Sequence, residues 1–240
     1  MLLDGPHLLE EALECGVAVS IAAFADSALE NRLGPLADRA ARAGVRTLTA
    51  DDALFKGLSP AQTPSGVVAI ASRPKADLEA TLKRSPQLLV LLEGVQDPGN
   101  VGAVIRAAEA FGSSGVIVSS GSADPFGWKA LRGAMGSSLR LPVVSHASSD
   151  DALRVLRSAG IRVFVAVPRA GFAPSEIDLR QPSAILLGGE GSGIPESLLS
   201  STYERLTIPM QLPVESLNVA VAAALVLYEA SRQRADVAVR

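Results

Sequence analysis

The first 72 residues of the chain alternate between short apolar runs and stretches in which apolar residues recur at helical spacing. This alternation predicts a small α/β unit. The predicted strands are 17–24, 45–49 and 67–71. The predicted helices are 8–13, 29–43 and a short helix after Asp51 and Asp52, whose carboxylates can accept hydrogen bonds from its first N–H groups.

A second series of apolar runs begins at residue 88. The run 88–92 is unbroken, which is typical of a parallel strand that is buried on both faces. Further predicted strands are 115–118, 141–144, 161–167, 184–187 and 206–208. The predicted helices are 101–111, 128–132, 151–159, 195–199 and 217–234. Strands that alternate with helices predict a parallel sheet covered on both faces.

The two series are separated by a polar, proline-flanked segment. This segment, 73–86, is the predicted linker. The expected organisation is therefore a small α/β domain at 1–72 and a larger α/β domain at 87–240.

Composition narrows the chemistry that the chain can perform. Of its 240 residues, 48% are hydrophobic, and the net charge is −3, which argues against a generic basic nucleic-acid binder. The single Cys15 excludes an internal disulfide and a cysteine-based zinc site. With only His7 and His146, neither a multi-histidine metal site nor a histidine relay is expected. We therefore expect no metal, and chemistry based on carboxylates, arginines, amides, hydroxyls and backbone.

The same sequence predicts a cytoplasmic protein. No apolar run approaches the length of about 18 residues that a membrane-spanning helix needs. The N-terminus has neither the basic region nor the apolar run of a signal peptide. A lone cysteine fits a reducing compartment, so no membrane partner is expected.

The first candidate cluster, 93–106, follows the carboxyl end of the buried strand 88–92, where open α/β sheets bind their ligands. Asn100 is the expected N-cap of the following helix. On that helix Gly102, Arg106 and Glu109 share a face, and Gly102 leaves the guanidinium of Arg106 room to approach a ligand. The alternative is a simple helix cap with a surface pair between Arg106 and Glu109.

The second candidate cluster, 185–195, is a strand that opens into a turn with four glycines among residues 188–193. Ile194 stands where a dinucleotide-binding motif needs its third glycine and where a phosphate-binding loop needs its lysine. The turn can still bring backbone close to a ligand. Glu190 within it could hold a cation or orient a hydroxyl. The alternative is a tight connection between strand and helix.

The third candidate cluster, 208–219, places Glu215, Ser216 and Asn218 at the start of the last helix. Glu215 or Ser216 could simply be the N-cap of that helix. The helix is apolar on nearly every side, which predicts a place in a core or an interface.

Taken together, the three clusters resemble the three motifs of the SpoU/TrmH-type RNA ribose 2′-O-methyltransferases of the SPOUT class. The matching segments are 97–106, 187–195 and 208–219, in the family's order and approximate spacing. The resemblance covers about residues 87–234. Residues 1–72 resemble the family's N-terminal substrate-binding domain, an α/β fold like that of some ribosomal proteins, most recognisably at 58–69.

The resemblance implies a fold and a set of roles. The parallel sheet would end in a C-terminal trefoil knot, and two chains would form a homodimer through the motif-one and C-terminal helices. S-adenosylmethionine would be the cofactor. Arg106 would be the catalytic residue, assisted by Asn100, Glu190, Ser216 and Asn218. The implied cofactor-binding residues are Gly188, Gly189, Gly193, Ile208, Met210 and Leu217.

Arg106 presents a chemical difficulty as a base, because deprotonating an arginine near neutral pH costs roughly 8 kcal/mol. We therefore hypothesise that Arg106 grips the adjacent phosphate and stabilises the developing alkoxide. The sequence departs from the family pattern in the cofactor loop, where Leu212 and Pro213 stand in place of a usual glycine, and at Ala220, where serine is common.

The predicted function is S-adenosylmethionine-dependent 2′-O-methylation of RNA, with ribosomal RNA favoured over transfer RNA because of the N-terminal domain type. A tRNA methyltransferase and a catalytically silent RNA-binding homologue remain alternatives. An unrelated nucleotide-binding α/β enzyme, such as a dehydrogenase, is a third.

Charge is distributed unevenly along the chain. Residues 128–175 hold seven basic residues against Asp150 and Asp151, a local excess of five. If these residues share one face, they form a phosphate-binding track, for which Lys129, Arg132 and Arg140 are the candidate RNA-binding residues. Scattered, solvated arginines are the alternative.

Overall fold

The computed structural model describes residues 1–85, 87–189, 193–199 and 203–238. Its N-terminal part is a four-stranded sheet with the strand order β1-β4-β2-β3, in which β4 runs antiparallel to both neighbours and β2 and β3 are parallel. The strands are β1 (Leu2–Asp4), β2 (Val19–Ala25), β3 (Arg46–Ala50) and β4 (Val67–Ala71). The helices are α1 (Pro6–Glu14), α2 (Asp26–Ala28), α3 (Gly34–Arg42) and α4 (Asp52–Leu58).

This part follows the hydrophobic pattern, with two additions. The predicted helix 29–43 begins as a π-helical turn, Leu29–Leu33, and becomes α-helical only from Gly34, while the short helix α2 precedes it. The edge strand β1 was not predicted, since its three residues are too few to show a period. Asp51 caps α4 as expected, its carboxylate accepting a hydrogen bond from the Leu54 N–H at 2.8 Å.

The C-terminal part contains a six-stranded, all-parallel sheet with the order β10-β8-β9-β5-β6-β7. Its strands are β5 (Leu88–Glu93), β6 (Gly115–Ser119), β7 (Val143–Ala147), β8 (Arg162–Ala166), β9 (Ser183–Gly188) and β10 (Glu204–Leu206). Its helices are α6 (Pro98–Ala110), α7 (Trp128–Ala134), α8 (Ser137–Arg140), α9 (Ser149–Ser158) and α10 (Val219–Ala238). The loops after β5, β6 and β9 therefore leave the sheet at the same edge.

Helices cover both faces of this sheet, as the unbroken apolar strands predicted. Along β5, Leu88, Val90 and Leu92 join the core beneath α6, α7 and α10. The alternate residues Leu89 and Leu91 join a second core beneath α9. Because successive side chains of a strand point to opposite faces, a strand buried on both sides must be apolar throughout.

Several element boundaries differ from the predictions. The predicted helix 195–199 is only a 3₁₀ turn, Glu196–Leu198, and the predicted strand 206–208 lies earlier, at Glu204–Leu206. A second 3₁₀ turn, Pro174–Glu176, precedes β9. The short helix α8 was missed, because its four residues span only about one helical turn.

The segment predicted as a linker contains a helix. This helix, α5 (Leu78–Leu82), is capped by Asp77 and buries Leu82 against the core that α9 covers. Pro86, the last residue of the predicted linker, lies outside the described residues. The polar composition of 73–86 concealed a helix with only two buried side chains, Thr81 and Leu82.

Polar contacts tie the N-terminal part to the larger one. On α8, Arg140 forms ion pairs with Glu11 of α1 and with Glu109 of α6. Arg73 donates to both carboxylate oxygens of Asp124, at 3.3 and 2.7 Å. One hydrophobic cluster also runs through both parts.

The far end of α10 is fixed by Arg234. This side chain donates to the carbonyl oxygens of Leu179, Gln87 and Gln181 at 2.8, 3.2 and 3.0 Å. Burial lowers the pKa of the Arg234 guanidinium. None of the helices in the described part of the chain is long and apolar enough to cross a membrane.

Candidate active site

Asp97, rather than Asn100, caps the helix that carries Arg106. The Asp97 carboxylate accepts a hydrogen bond from the Asn100 backbone N–H at 2.8 Å, and Pro98 occupies the first turn of α6, where its missing N–H costs nothing. The expectation that Asn100 is the N-cap was therefore wrong. With the capping position taken by Asp97, the Asn100 side chain is available for other contacts.

The Asn100 side chain meets Asn218. The Asn218 Nδ2 donates to Asn100 Oδ1 at 3.0 Å. The Asn218 Oδ1 accepts from the backbone N–H groups of Ala220 and Val221 at 2.9 and 3.3 Å, so Asn218 is the N-cap of α10. Neither Glu215 nor Ser216 has that role, which corrects the local alternative. One amide thus caps α10 and joins it to α6.

Arg106 is exposed on α6 and lines a groove of about 560 Å³. His7 and Glu11 of α1 line the same groove. The carboxylate of Glu109 is bound in bidentate fashion by Arg140, at 2.7 and 2.9 Å. The surface pair between Arg106 and Glu109, which was the alternative interpretation of this cluster, does not form. Among the described residues, no carboxylate lies within ion-pair distance of Arg106.

Gly102 serves helix packing rather than access to Arg106. A Cβ at this position would lie 2.2 Å from the carbonyl oxygen of Ala130 and 2.9 Å from the nitrogen of Ala134, both on α7. Gly102 is buried, so the expectation that it makes room for the Arg106 guanidinium was wrong. The glycine instead lets the backbones of α6 and α7 touch.

A separate cavity of about 520 Å³ opens beyond the carboxyl end of β9. The six residues predicted to bind the cofactor all line this cavity: Gly188, Gly189, Gly193, Ile208, Met210 and Leu217. Ser216 lines it as well. Glycine is required at the rim, since a Cβ at Gly188 would come within 2.7 Å of the Gly193 backbone. A Cβ at Gly189 would come within 1.9 Å of the Gly94 carbonyl oxygen.

The cavity fits a nucleoside-sized cofactor. Its volume falls within the range of about 300–1,000 Å³ that is usual for small-molecule sites. Apolar side chains from Ile208, Met210 and Leu217 can bury a planar base, while the glycine backbone offers N–H and C=O groups to polar atoms. S-adenosylmethionine, which has an adenine at one end and an amino acid at the other, suits this combination.

Comparison with known proteins decides the family. Residues 87–228 match the family model described as "SpoU rRNA Methylase family", and residues 2–76 match the model described as "RNA 2'-O ribose methyltransferase substrate binding". The chain belongs to the SpoU rRNA methylase family. The predicted recognition, enzyme class and cofactor are thereby confirmed: it is an S-adenosylmethionine-dependent RNA methyltransferase.

Two curated relatives show how far the likeness extends. An uncharacterized tRNA/rRNA methyltransferase of Synechocystis is 35% identical over 239 residues, which are 98% of this chain and 84% of the relative. The Bacillus subtilis 23S rRNA (guanosine(2553)-2'-O)-methyltransferase RlmP is 32% identical over 228 residues, covering 95% of this chain and 86% of RlmP.

Solved structures of the SpoU family share the fold of both parts. The methyltransferase AviRb from Streptomyces viridochromogenes superposes with a TM-score of 0.86 at 28% identity, covering 98% of this chain and 90% of AviRb. The structure of AviRb in complex with AdoMet superposes with a TM-score of 0.85 at 31% identity, with the same coverage of both chains.

One predicted site residue lies outside the described part of the chain, and other residues that line the cavity were not predicted from the sequence. Glu190 lies outside the described residues. Pro168, Ile194 and Ala222 line the cavity but were not predicted. Pro168 follows β8, the neighbour of β9, so only the strand order could have indicated it. Leu212 is 80% exposed and does not line the cavity.

The predicted RNA-binding residues of this SpoU protein differ in their surroundings. Lys129 is exposed, Arg132 lies 3.5 Å from Asp4, and Arg140 holds the two carboxylates of the domain contact. Arg154 and Arg157 are on α9, over the opposite face of the sheet. The seven basic residues therefore do not form one track.

Proposed function

We propose that this chain methylates the ribose 2′-hydroxyl of a nucleotide in ribosomal RNA. Relatives named for 23S rRNA 2′-O-methylation, including RlmP, support this choice over transfer RNA. The match of residues 2–76 to the model described as "RNA 2'-O ribose methyltransferase substrate binding" supports an RNA substrate. The observation that carries the proposal is the cofactor-sized cavity, lined by Leu217 and Val219. Between these two residues lies Asn218, which contacts Asn100 on the helix that carries Arg106.

The residues of the site divide the work of the reaction. S-adenosylmethionine supplies, when bound, an electrophilic methyl group. The glycine turn around Gly188 and the loop through Ile208 and Leu217 bind it in the cavity and exclude water from its apolar side. Ser216 offers a hydroxyl at the same wall. Glu190 is proposed to orient the ribose or the cofactor.

Arg106 acts on the RNA. Its guanidinium is charged and lacks a carboxylate partner among the described residues, so it can grip a phosphate beside the target ribose. The same charge stabilises the alkoxide that develops as the hydroxyl loses its proton. Proton loss to water late in the reaction avoids the cost of an uncharged arginine. Asn100 and Asn218 hold α6 and α10 in the register that this requires.

We propose that the enzyme is a homodimer. The groove of Arg106 and the cofactor cavity share no lining residue within one chain. On α10, Val221, Leu225 and Tyr228 are exposed by 49%, 46% and 56%, and their spacing puts them on one face. A second copy that covers this face would bury it and could bring its Arg106 to the first chain's cavity.

We also propose that the substrate-binding domain is 1–72, the linker 73–86 and the methyltransferase domain 87–240, with a trefoil knot in its C-terminal segment. Lys129, Arg132 and Arg140 remain the candidates for RNA contact. We propose that the protein works in the cytoplasm, a reducing compartment in which a lone cysteine is expected.

Ribose-methylation mapping of total RNA from cells with and without the gene tests the proposal. We expect one 23S rRNA position to lose its 2′-O-methyl group in the deletion strain and to regain it on complementation. Complementation with Arg106→Ala should fail. An unchanged rRNA profile together with a lost methyl group in tRNA would overturn the ribosomal assignment. Absence of S-adenosylmethionine binding by calorimetry would instead support a silent homologue.

A further inference from the structure

Trp128 lies on α7, one turn before Arg132, which contacts Asp4 of the N-terminal domain at 3.5 Å. It is the only tryptophan of the chain, and it opens α7 immediately after the loop that follows β6. Its side chain is only partly buried. Two cations lie close to its ring: Lys129 Nζ at 5.5 Å and Arg132 Cζ at 5.9 Å from the ring centroid. We call Trp128, Lys129 and Arg132 the junction patch.

The junction patch is built on buried polar contacts. The side chain of Asp4 is 3% exposed and receives Arg132 Nη1 at 3.5 Å. The same carboxylate accepts from the Ser59 hydroxyl at 3.0 Å. Asp4 therefore connects the junction patch with the start of the loop 59–65 of the N-terminal domain, in which Gln62 and Thr63 are exposed.

The junction patch is also connected to the catalytic edge of the sheet. The loop before Trp128 is fixed to the loop between β5 and α6 by a hydrogen bond from the Ala123 N–H to the Val95 carbonyl, 2.8 Å long. Arg73 braces the same loop through Asp124 and lies 6.0 Å from the Phe126 ring centroid. These contacts fix the junction patch beside the loop that precedes α6, the helix that carries Arg106.

We propose that the junction patch binds an unpaired stretch of the RNA substrate, with one base stacked on the Trp128 ring and its phosphate on Lys129. This inference rests on the proposed function. A partly exposed aromatic ring flanked by cations suits single-stranded RNA, whose bases are free to stack. Among the described residues Lys129 has no ion-pair partner, so its charge is free to meet a phosphate.

A second copy of this chain is a weaker occupant. Lys129 and Arg132 are both exposed at the patch, and two copies would bring these like charges together. A base paired within a duplex fits no better, because its faces are already covered by its neighbours. The junction patch thus favours unpaired RNA over both.

The intrinsic fluorescence of the full-length protein tests this proposal, because all tryptophan emission comes from Trp128. We expect single-stranded oligoadenylate to quench that emission, and the same strand annealed to oligouridylate to quench it much less. Filter binding would measure affinity independently. RNA that binds without changing the emission would overturn the proposal, and so would an emission change that follows protein concentration alone.

Variants separate stacking from folding. Trp128→Leu should weaken single-strand binding about fivefold to a hundredfold, and Trp128→Phe should restore most of it. Lys129→Gln should make the slope of log affinity against log salt concentration shallower, by about the amount that one phosphate contact contributes. Lys56 is an exposed lysine on α4, and Lys56→Gln should leave that slope unchanged. Equal affinity of Trp128→Leu and the wild type would refute the stacking role.

The same variants distinguish failure of this inference from failure of the proposed function. Calorimetric binding of S-adenosylmethionine should be unchanged in Trp128→Leu, because Trp128 does not line the cofactor cavity. With rRNA as substrate, Trp128→Leu should raise KM and leave kcat within about twofold. If RNA quenches the tryptophan emission of the wild type but no methyl group is transferred, the proposed function is wrong and the proposal that the junction patch binds RNA is retained.

Discussion

At the scale of single residues, the site depends on amides with two tasks. Asn218 uses its oxygen to cap α10 and its nitrogen to contact Asn100. The sequence predicted both asparagines as site residues. It favoured Asn100 as the cap of α6 and left Glu215 or Ser216 as possible caps of α10. Local sequence could not decide, because several good capping residues lie within three positions of each helix start.

Asn218→Asp should separate the two tasks. Aspartate is a good N-cap, so the free energy of unfolding should fall only by the lost contact to Asn100, about 0.5–1.5 kcal/mol. The donor to Asn100 is lost, and kcat should fall about tenfold, because a hydrogen bond that orients α6 against α10 is gone. Asn218→Ala should lose the cap as well, which lowers the free energy of unfolding by about a further 1 kcal/mol. Full activity in Asn218→Asp would show that the contact is dispensable.

Arg106→Lys should retain measurable methyl transfer. Lysine keeps the positive charge but loses the planar fork of the guanidinium, so we expect kcat to fall by about tenfold to a hundredfold, against about a thousandfold for Arg106→Ala. Calorimetry should show unchanged S-adenosylmethionine binding in both variants. A sharp inflection near neutral pH in the rate profile that disappears in Arg106→Lys would instead support arginine as a base.

At the scale of elements, the contact between α6 and α7 sets where Arg106 and Trp128 stand relative to each other. Two glycines, Gly102 and Gly133, let the two helix backbones meet. The sequence predicted both helices from their hydrophobic spacing. It did not predict that Gly102 faces a neighbouring helix, because helical spacing identifies a face and not the element that covers it.

Gly102→Ala should destabilise the protein by about 1–3 kcal/mol, because the new Cβ would overlap backbone atoms that cannot rotate away. Gly57→Ala on α4 is the matched control, since nothing lies within 4 Å of its Cβ position. That change should stabilise the protein by about 0.5–1 kcal/mol. Chemical denaturation of both variants measures the difference, and a neutral Gly102→Ala would contradict the tight contact.

At the scale of the whole molecule, Arg140 joins three helices of two domains. It pairs with Glu11 of α1 and Glu109 of α6 from its own position at the end of α8. From sequence, Arg140 was a candidate for RNA contact, because local charge counts cannot show which carboxylates lie nearby. Its RNA role stays a prediction, while its contacts give it a role in domain docking.

Arg140→Gln should loosen the N-terminal domain. We expect limited proteolysis within 73–85 to speed up about twofold to fivefold at low salt, since partly exposed ion pairs contribute about 0.5–1 kcal/mol. The difference should shrink at high salt. Arg154→Gln removes an ion pair confined to α9 and should have no such effect. Equal cleavage of the two variants would argue against the docking role.

Leu225→Glu tests the proposed dimer. A charge in the centre of the exposed α10 face should prevent its burial, so sedimentation should show monomers where the wild type sediments as dimers. Leu54→Glu, at a more exposed leucine on α4, should leave the wild-type state intact. A wild type that stays monomeric at all concentrations would reject the dimer directly.

The sequence by itself determined the alternation of elements, the parallel sheet buried on both faces and the three motifs of the site. These features are local: a buried parallel strand must be apolar throughout, and a turn that admits another backbone closely must be glycine. Only the tertiary structure decided which residue caps which helix, which carboxylates Arg140 binds, and that Ser59 and Arg132 meet at Asp4. Those outcomes depend on residues far apart in the chain, whose contacts exist only after the two domains have packed.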